Sequence, residues 1–157
     1  MSAPSRSITL ASPDDTAALA RALGSRLRRG DTILLSGPLG AGKTHFARAL
    51  VQSLLDQPED VPSPTFTLVQ TYETSRGDIW HADLYRLSDR SEVEELGLAQ
   101  AFDDAICLVE WPDRLGPDSP ASALSLDLAY APDEETRVLC ASWSDAAWTD
   151  RLAGWGT

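Results

Sequence analysis

Eight consecutive residues, from Gly37 to Thr44, have the types and spacing of a phosphate-binding loop. Their sequence, GPLGAGKT, fits the pattern G-x-x-x-x-G-K-[ST]. Glycines allow successive backbone N–H groups to face one point, where a helix N-terminus adds positive potential. Lys43 is expected to reach the β- and γ-phosphates of a nucleotide, and the Thr44 hydroxyl to bind Mg²⁺. The candidate nucleotide-binding residues are Gly37, Pro38, Leu39, Gly40, Ala41, Gly42, Lys43 and Thr44.

Two acidic residues are candidates for the carboxylate that such a loop needs beside it. Glu110 ends the apolar run Ile106–Val109, so a buried strand would deliver it next to the loop. Asp83 shares one face of a predicted strand with Ile79 and His81. The plainer alternatives are a solvated acid at a strand end for Glu110 and a surface turn acid for Asp83. Asp83, Glu110 and Lys43 are the catalytic candidates, and Thr44, Glu110 and Asp83 are the metal candidates.

Several other side chains near these motifs allow two interpretations each. Trp111 is either a core or rim aromatic or a neighbour of the nucleotide. His45 is more typical of a packing or surface residue than of a ligand. Arg86 and Arg114 follow the two acidic motifs and could stabilise a transition state, although surface salt bridges are the more typical role for each. Trp143, Trp148 and Trp155 fit either core packing or interface anchors, and Trp155 also fits a disordered terminus.

The elements that must position the loop can be predicted from periodicity. Ile33–Ser36 is a short apolar strand, and the helix Thr44–Leu55 is apolar on more than one face, which predicts burial. Ahead of them, Ser12 is a predicted N-cap, with Asp15 closing a capping box, for a helix that ends at Gly30.

The rest of the chain predicts more strands than helices. Phe66–Glu73 and Ile79–Leu84 form a predicted antiparallel hairpin, and Ile106–Glu110 has the composition of a strand buried on both faces. Other predicted elements are the strands Ser7–Leu10, Leu124–Tyr130 and Thr136–Ser142, helical pieces in Ser91–Phe102, and a short helix from Ser144. Together they predict an α/β fold, a P-loop NTPase-like three-layer sandwich with a mixed parallel and antiparallel central sheet.

Length and composition limit the class of protein. The 157 residues suit a single domain, with the motifs in residues 12–115 and a tail, 116–157, of two strands and a short helix. A net charge of −11 predicts repulsion from nucleic acid and anionic membranes. No apolar run approaches the roughly 18 residues of a membrane span, and the N-terminus lacks the apolar core of a signal peptide. Cys107 and Cys140 lie in apolar contexts and predict two buried free thiols in a reducing cytoplasm.

Four motifs, "GPLGAGKT", "SPTFTLVQTYE", "HADLYRL" and "LVEWPDRL", occur in this order from about Ser12 to Leu115. In combination they resemble the TsaE (YjeE) family of bacterial P-loop ATPases, which are required for threonylcarbamoyladenosine modification of tRNA. No motif of the tail after Leu115 could be matched.

The resemblance implies a slow ATPase that binds ATP with Mg²⁺ and acts on the TsaD–TsaB complex, which transfers threonylcarbamoyl to adenosine 37 of tRNA. It implies a switch-like segment at Ser63, Pro64 and Thr65. Trp111 is expected to belong to the same switch-like set of residues. By the same resemblance, Glu110 is the carboxylate on the metal side and Asp83 the residue that orients water. The acidic charge argues against direct tRNA binding.

Three other classes remain open at this point. A small-molecule kinase would need a substrate pocket and an arginine-bearing lid, whereas the predicted hairpin, where a lid could lie, has no clustered arginines. A GTPase is disfavoured because no N-K-x-D motif follows the weak D-x-x-G match at Asp113–Gly116. A non-catalytic adaptor could use the nucleotide only as a structural element.

Overall fold

The computed structural model describes residues 4–133 and 135–156 and has an α/β architecture built on one seven-stranded sheet. The strands are β1 Ser5–Leu10, β2 Thr32–Ser36, β3 Val69–Thr74, β4 Gly77–Asp83, β5 Ile106–Glu110, β6 Leu124–Tyr130 and β7 Arg137–Ser142. The helices are α1 Pro13–Gly24, α2 Lys43–Leu54, α3 Arg90–Glu95, α4 Leu98–Asp104 and α5 Ala147–Arg151, with a kinked 3₁₀ segment at Pro112–Asp118.

The sheet mixes both strand directions, as the sequence predicted. Its order is β1-β7-β6-β2-β5-β4-β3. Strands β6, β2, β5 and β4 run parallel in its centre, while β1, β7 and β3 pair in the antiparallel direction at the two sides. The bounds predicted for β5 and β6 are confirmed, and the hairpin of β3 and β4 forms.

Alternate residues of the central strands fill two separate cores. Ile33 and Leu35 of β2 pack with α1 and α2 on one face, whereas Leu34 belongs to the core on the other face. That second core also contains residues of α3, α4 and the 3₁₀ segment. Because a strand sends successive side chains to opposite faces, a continuous apolar run is required for this double burial. The sheet therefore lies between two layers, one with α1 and α2 and the other with α3, α4 and the 3₁₀ segment, as the predicted three-layer sandwich requires.

Several predicted boundaries are wrong: β1 and β4 begin two residues before the predicted starts, and α5 begins at Ala147 rather than Ser144. Two further differences have a clear local cause. Helix α1 ends at Gly24 rather than Gly30, since residues 25–27 continue with tighter turns in which Leu27 N–H donates to the Gly24 carbonyl at 3.2 Å. Strand β3 begins at Val69 rather than Phe66. Residues before it form a turn closed by Leu68 N–H donating to Pro64 O at 2.7 Å, and Phe66 is 84% exposed.

The start of α1 is capped nearly as predicted. The Ser12 side chain accepts a hydrogen bond from Asp15 N–H at 3.2 Å, and Pro13 is the first helical residue. The Asp15 carboxylate reaches back to Ala11 N–H, one residue before the partner that a capping box would use.

The C-terminal tail is packed against the rest of the sheet. Trp143, Trp148 and Trp155 are all buried, which removes the alternative that Trp155 lies in a disordered terminus. The prediction of two buried thiols is half wrong. Cys107 is free and buried, whereas Cys140 is free but exposed, because it lies on the outward face of β7 between the inward-facing Leu139 and Ala141.

No helix within the described ranges has the length and apolar character needed to cross a membrane.

Candidate nucleotide-binding site

The candidate residues meet at the carboxyl ends of three adjacent parallel strands. The phosphate-loop sequence follows β2, Glu110 ends β5, and Asp83 ends β4. The strand register places Glu110 beside Leu35 on one side and beside Asp83 on the other. Parallel strands bring their carboxyl ends to the same edge of a sheet, where ligand sites of α/β proteins lie. Tertiary structure therefore joins three motifs that are distant in the sequence.

The loop has the backbone that its glycines permit. Gly37 has φ +136° and passes so close to β6 that a Cβ there would lie 2.2 Å from the Leu128 carbonyl oxygen. The Tyr130 hydroxyl donates to Leu39 O at 2.7 Å and ties the loop to the end of β6. Helix α2 begins at Lys43, with its first carbonyl supplied by Gly42. The strand–loop–helix arrangement expected of a phosphate cradle is present.

Lys43 lies in the mouth of the loop. Its ammonium group donates to the carbonyl oxygens of Gly37 and Pro38, and it lies 4.0 Å from the centroid of the Trp111 ring. Burial lowers the pKa of Lys43 from its ordinary value, and the nearby carboxylates, first that of Glu110, act in the opposite direction. The indole face stabilises the cation by a cation–π contact.

Glu110 is almost fully buried, at 1% exposed, which removes the alternative of a solvated acid at a strand end. Its Oε1 accepts a hydrogen bond from the Thr44 hydroxyl at 2.7 Å. Its Oε2 lies 2.6 Å from Nε2 of His81, a histidine with no exposed surface. A buried carboxylate needs such partners to offset its lost hydration.

Asp83 is also buried beside Glu110. Its Oδ1 accepts from Tyr85 N–H at 3.0 Å, and its Oδ2 accepts from the Thr65 hydroxyl at 3.4 Å. Burial raises the pKa of Asp83. The Tyr85 hydrogen bond opposes this shift, while the negative Glu110 adds to it. The alternative of a surface turn acid is thereby removed.

The Ser63–Pro64–Thr65 segment contacts the site through Thr65. The Ser63 and Thr65 hydroxyls are 2.7 Å apart, and Thr65 links them to Asp83. Leu68, which closes the segment, has a positive φ of 69°, a conformation that is costly for a leucine. The segment is therefore joined to the acidic part of the site by hydroxyl contacts and carries local backbone strain.

A cavity of about 340 Å³ is centred on these groups. It brings together Lys43, Thr44, Thr65, Asp83 and Glu110, with Leu39, His45, Tyr85 and Trp111 around them. A neighbouring cavity of about 280 Å³ shares Gly40, Gly42 and His45 with it and reaches Thr16 of α1 and Arg137 of β7. A larger cavity, about 450 Å³, lies at the opposite edge of the sheet, where β4 and β5 begin.

The oxygen donors at the loop suit a magnesium ion. The Thr44 hydroxyl and the Glu110 carboxylate are in contact, and Mg²⁺ prefers oxygen ligands, of which a few come from the protein and others from phosphates. Thr44 and Glu110 would hold such an ion, with Asp83 one strand away. The residues present therefore fit the cation that the sequence suggested.

The structure brings the predicted loop residues, Asp83, Glu110, Thr65 and Trp111 to one place. The two candidate arginines do not line the cavity: Arg86 stacks over Phe66 at 5.2 Å, and Arg114 contacts the Tyr85 carbonyl at 3.5 Å. Sequence reasoning did not select His81 or Tyr85. For His81 a signal existed, because the two-residue period of a strand places it on the face of Asp83.

A glycine-rich loop between a buried parallel strand and a helix, with a buried acid ending the next strand, defines a P-loop nucleotide-binding protein. The family model "Threonylcarbamoyl adenosine biosynthesis protein TsaE" matches residues 10–139. The chain belongs to this TsaE family. The match extends beyond Leu115 into β7, so the family's pattern covers more of the tail than its motifs indicated.

Relatives of this chain carry the same family name. Proteins named "tRNA threonylcarbamoyladenosine biosynthesis protein TsaE" are 41% identical over 106 residues in Rickettsia felis and 35% identical over 144 residues in Mycobacterium bovis. The first match covers 68% of this chain and 62% of the relative, and the second covers 86% and 85%. This chain thus spans about three-fifths of the length of the Rickettsia felis protein.

The fold is also found in a solved structure. The crystal structure of Bacillus subtilis YdiB superposes with a TM-score of 0.82, covering 98% of this chain and 95% of the other. Sequence identity over the pair is 24%, so this likeness concerns the fold.

Proposed function

We propose that the chain is a Mg²⁺-dependent ATPase that supports threonylcarbamoyl transfer to adenosine 37 of tRNA by acting on the TsaD–TsaB complex. The observation that carries the proposal is the meeting of Lys43, Thr44 and Glu110 in one cavity at the start of α2. Family membership supports the pathway, and the chemistry of these three side chains supports the reaction.

The loop would bind the triphosphate. The first residues of α2, including Lys43, line the cavity, and both a helix N-terminus and an ammonium group favour negative charge. On binding, Lys43 would exchange its bonds to the carbonyls of Gly37 and Pro38 for phosphate oxygens. Mg²⁺ held at Thr44 and Glu110 would neutralise charge on the phosphates.

Asp83 is the proposed residue that orients the attacking water. Its carboxylate lies one strand from Glu110 and lines the same cavity. The water oxygen bonds to the γ-phosphorus as the bond between that phosphorus and the β–γ bridging oxygen breaks, and ADP, inorganic phosphate and a proton are released. Thr65 contacts Asp83, so movement of the Ser63–Thr65 segment would alter the position of this carboxylate.

The nucleoside would occupy the neighbouring cavity of about 280 Å³. It adjoins the outer side of the loop through Gly40, Gly42 and His45, so a nucleotide with its phosphates at Lys43 can extend into it. His45 is held there by a 2.9 Å contact between its Nε2 and the Pro13 carbonyl.

A partner protein would supply the second positively charged side chain that the cavity lacks among the described residues. Among the described residues lining it, Lys43 is the single lysine or arginine. Phosphoryl-transfer sites with an additional arginine are faster by several orders of magnitude, so slow turnover by the chain alone is expected. The net charge of −11 disfavours direct contact with tRNA and favours a protein partner.

The test is ATP hydrolysis by the wild type and Lys43→Ala, with and without purified TsaD–TsaB. We expect low basal release of phosphate, an increase with the complex, and loss of nucleotide affinity in Lys43→Ala. Absence of ATP and ADP binding in calorimetry with Mg²⁺ would contradict the proposal. A phosphorylated small molecule in place of free phosphate would identify a kinase. If Glu110→Gln binds ATP and still supports tRNA modification, the chain is an adaptor.

A further inference from the structure

His81 is a buried histidine whose place in the fold is not explained by packing. Its side chain has no exposed surface, and it lies in the middle of β4 opposite Leu108 of β5. Nε2 is 2.6 Å from Oε2 of Glu110, while Nδ1 has no hydrogen-bond partner within residues 4–133 and 135–156. An apolar residue would fill this position without leaving a buried nitrogen unpaired.

The surroundings determine which nitrogen carries the proton. An ionised carboxylate accepts hydrogen bonds only, and Oε1 of Glu110 already accepts from the Thr44 hydroxyl at 2.7 Å. A proton on Nε2 makes His81 the donor to Oε2 and leaves Nδ1 as an unpaired acceptor. A neutral ring with its proton on Nδ1 would require a protonated Glu110 and would bury an unpaired N–H donor, which is the costlier arrangement.

Both oxygens of Glu110 are thus held from separate elements. Thr44 belongs to the first turn of α2, and His81 belongs to the strand next to the one that ends in Glu110. Two donors on opposite oxygens restrict rotation of the carboxylate, so that Oε1 faces the helix that follows the phosphate loop.

We propose that His81 is a positioning residue of the nucleotide site: its Nε2–H holds Oε2 of Glu110 and thereby directs Oε1 toward Thr44. The proposal rests on the proposed ATPase function and assigns His81 no contact with the nucleotide. Hydrogen-bonded partners of metal-binding carboxylates commonly change metal affinity or activity by about 10- to 100-fold when removed.

This role predicts a specific kinetic pattern. Removing the donor should lower kcat and raise the Mg²⁺ concentration needed for half-maximal turnover. Affinity for ATP should change little, because Lys43 and the loop amides are untouched. A purely structural role of His81 would lower the amount of folded protein and leave kcat per folded molecule and the Mg²⁺ dependence unchanged.

The experiment compares His81→Leu, His81→Gln and His81→Asn. Leucine removes the donor; the glutamine amide places an N–H at the reach of Nε2; the shorter asparagine places it nearer Nδ1. We expect glutamine to restore kcat and Mg²⁺ dependence toward wild type, and leucine and asparagine to lose about 10- to 100-fold. Equal kcat for glutamine and asparagine, or an unchanged kcat for leucine, would overturn the proposal. If His81→Leu does not fold, the glutamine and asparagine pair decides.

A double substitution tests whether His81 acts through Glu110. In a Glu110→Ala background, His81→Leu should produce no further loss of kcat, because the carboxylate that His81 holds is already absent. Independent, multiplying losses would mean that His81 acts elsewhere and would overturn the proposal.

A measurement without turnover separates this proposal from the proposed function. Imidazole ¹⁵N NMR of the wild type should show His81 with its proton on Nε2, and Glu110→Gln should shift that resonance. A proton on Nδ1 would overturn the positioning role even in an active enzyme. Conversely, a wild type with the Nε2–H tautomer but no ATP hydrolysis would contradict the ATPase proposal and leave the contact to Glu110 established.

Discussion

At the scale of single residues, the site is a group of buried ionisable side chains whose charges lie close enough to affect one another's pKa. Lys43, Asp83 and Glu110 are each less than a tenth exposed. Burial alone would disfavour all three charges, and it shifts the pKa of Lys43 down and that of Asp83 up. Hydrogen bonds from Thr44, Thr65 and the backbone offset part of this cost. Clusters of perturbed groups in a cavity are typical of functional sites.

Asp83→Asn should bind ATP but hydrolyse it slowly. The amide keeps the size of the side chain but lacks the negative charge and the second acceptor oxygen that would orient the water, so a loss of about 10²- to 10⁴-fold in kcat is expected. Calorimetry measures binding and single-turnover assays measure hydrolysis. Asp113→Asn, at an exposed position three residues after the end of β5, is the matched control and should retain wild-type rates. Near wild-type turnover in Asp83→Asn would remove Asp83 from the mechanism.

The raised pKa of Asp83 also predicts how stability depends on pH. The folded state keeps the Asp83 proton to a higher pH than the unfolded state does, because in the unfolded state the pKa of this carboxyl is near the ordinary 3.8. As pH rises from 3.8 through the raised pKa, the free energy of unfolding of wild type should therefore fall relative to that of Asp83→Asn. Above the raised pKa the difference should be constant. Urea unfolding at a series of pH values measures it, and a difference that is independent of pH throughout would contradict the shift.

At the scale of elements, the site depends on how closely the phosphate loop approaches β6. Gly37 lies against the Leu128 backbone, whereas a Cβ on Gly42 would meet nothing within 4 Å. Both glycines have a positive φ, of 136° and 106°, and of the two only Gly37 approaches the backbone of β6 closely. The Tyr130 hydroxyl adds a second link from the end of β6 to the loop at Leu39.

Gly37→Ala and Gly42→Ala therefore form a matched pair. Both should lose about 1 kcal/mol or more of stability from backbone strain, and Gly37→Ala should lose more because its Cβ clashes with main chain that has to move. Gly37→Ala should also bind ATP more weakly, since the loop is displaced from β6. Urea unfolding and calorimetry give both quantities. Equal effects of the two substitutions would mean that the loop adjusts to the Leu128 carbonyl at no cost.

At the scale of the whole molecule, the C-terminal tail completes the core on the α1 face. Trp155 is 1% exposed and its indole N–H donates to the Leu19 carbonyl of α1 at 3.0 Å. Arg26 donates to carbonyl oxygens of Arg151 and Ala153, and Arg151 forms a salt bridge with Asp31. The tail tryptophans are therefore core residues in this fold.

Trp155→Ala should destabilise the protein by about 3–5 kcal/mol, the usual cost of removing a large buried aromatic side chain. Trp155→Phe keeps most of the volume and loses the hydrogen bond to Leu19, so a smaller loss is expected. Chemical denaturation measures both. Unchanged stability in Trp155→Ala, together with weaker binding to TsaD–TsaB, would favour the alternative of an interface anchor.

Several features of this protein were determined by short stretches of sequence. The phosphate loop, the strand Ile106–Glu110 with its terminal acid, the β3–β4 hairpin and the Ser12 cap follow from local patterns. Each depends on residues within about one turn or one strand of one another, whose backbone preferences and apolar periodicity act locally. The mixed sheet follows from them because the hairpin pairs its strands in the antiparallel direction, while a run buried on both faces, such as β5, is typical of parallel strands.

Other features were decided only by the tertiary structure. His81 and Glu110 are 29 residues apart, and their contact exists because β4 and β5 pair in one register. Trp111 lies over Lys43 because its backbone adopts φ 59° after β5, which no local pattern indicated. Such details depend on which helices and strands pack together and how far apart they lie. These contacts join residues that are distant in the sequence, so local sequence patterns do not predict them.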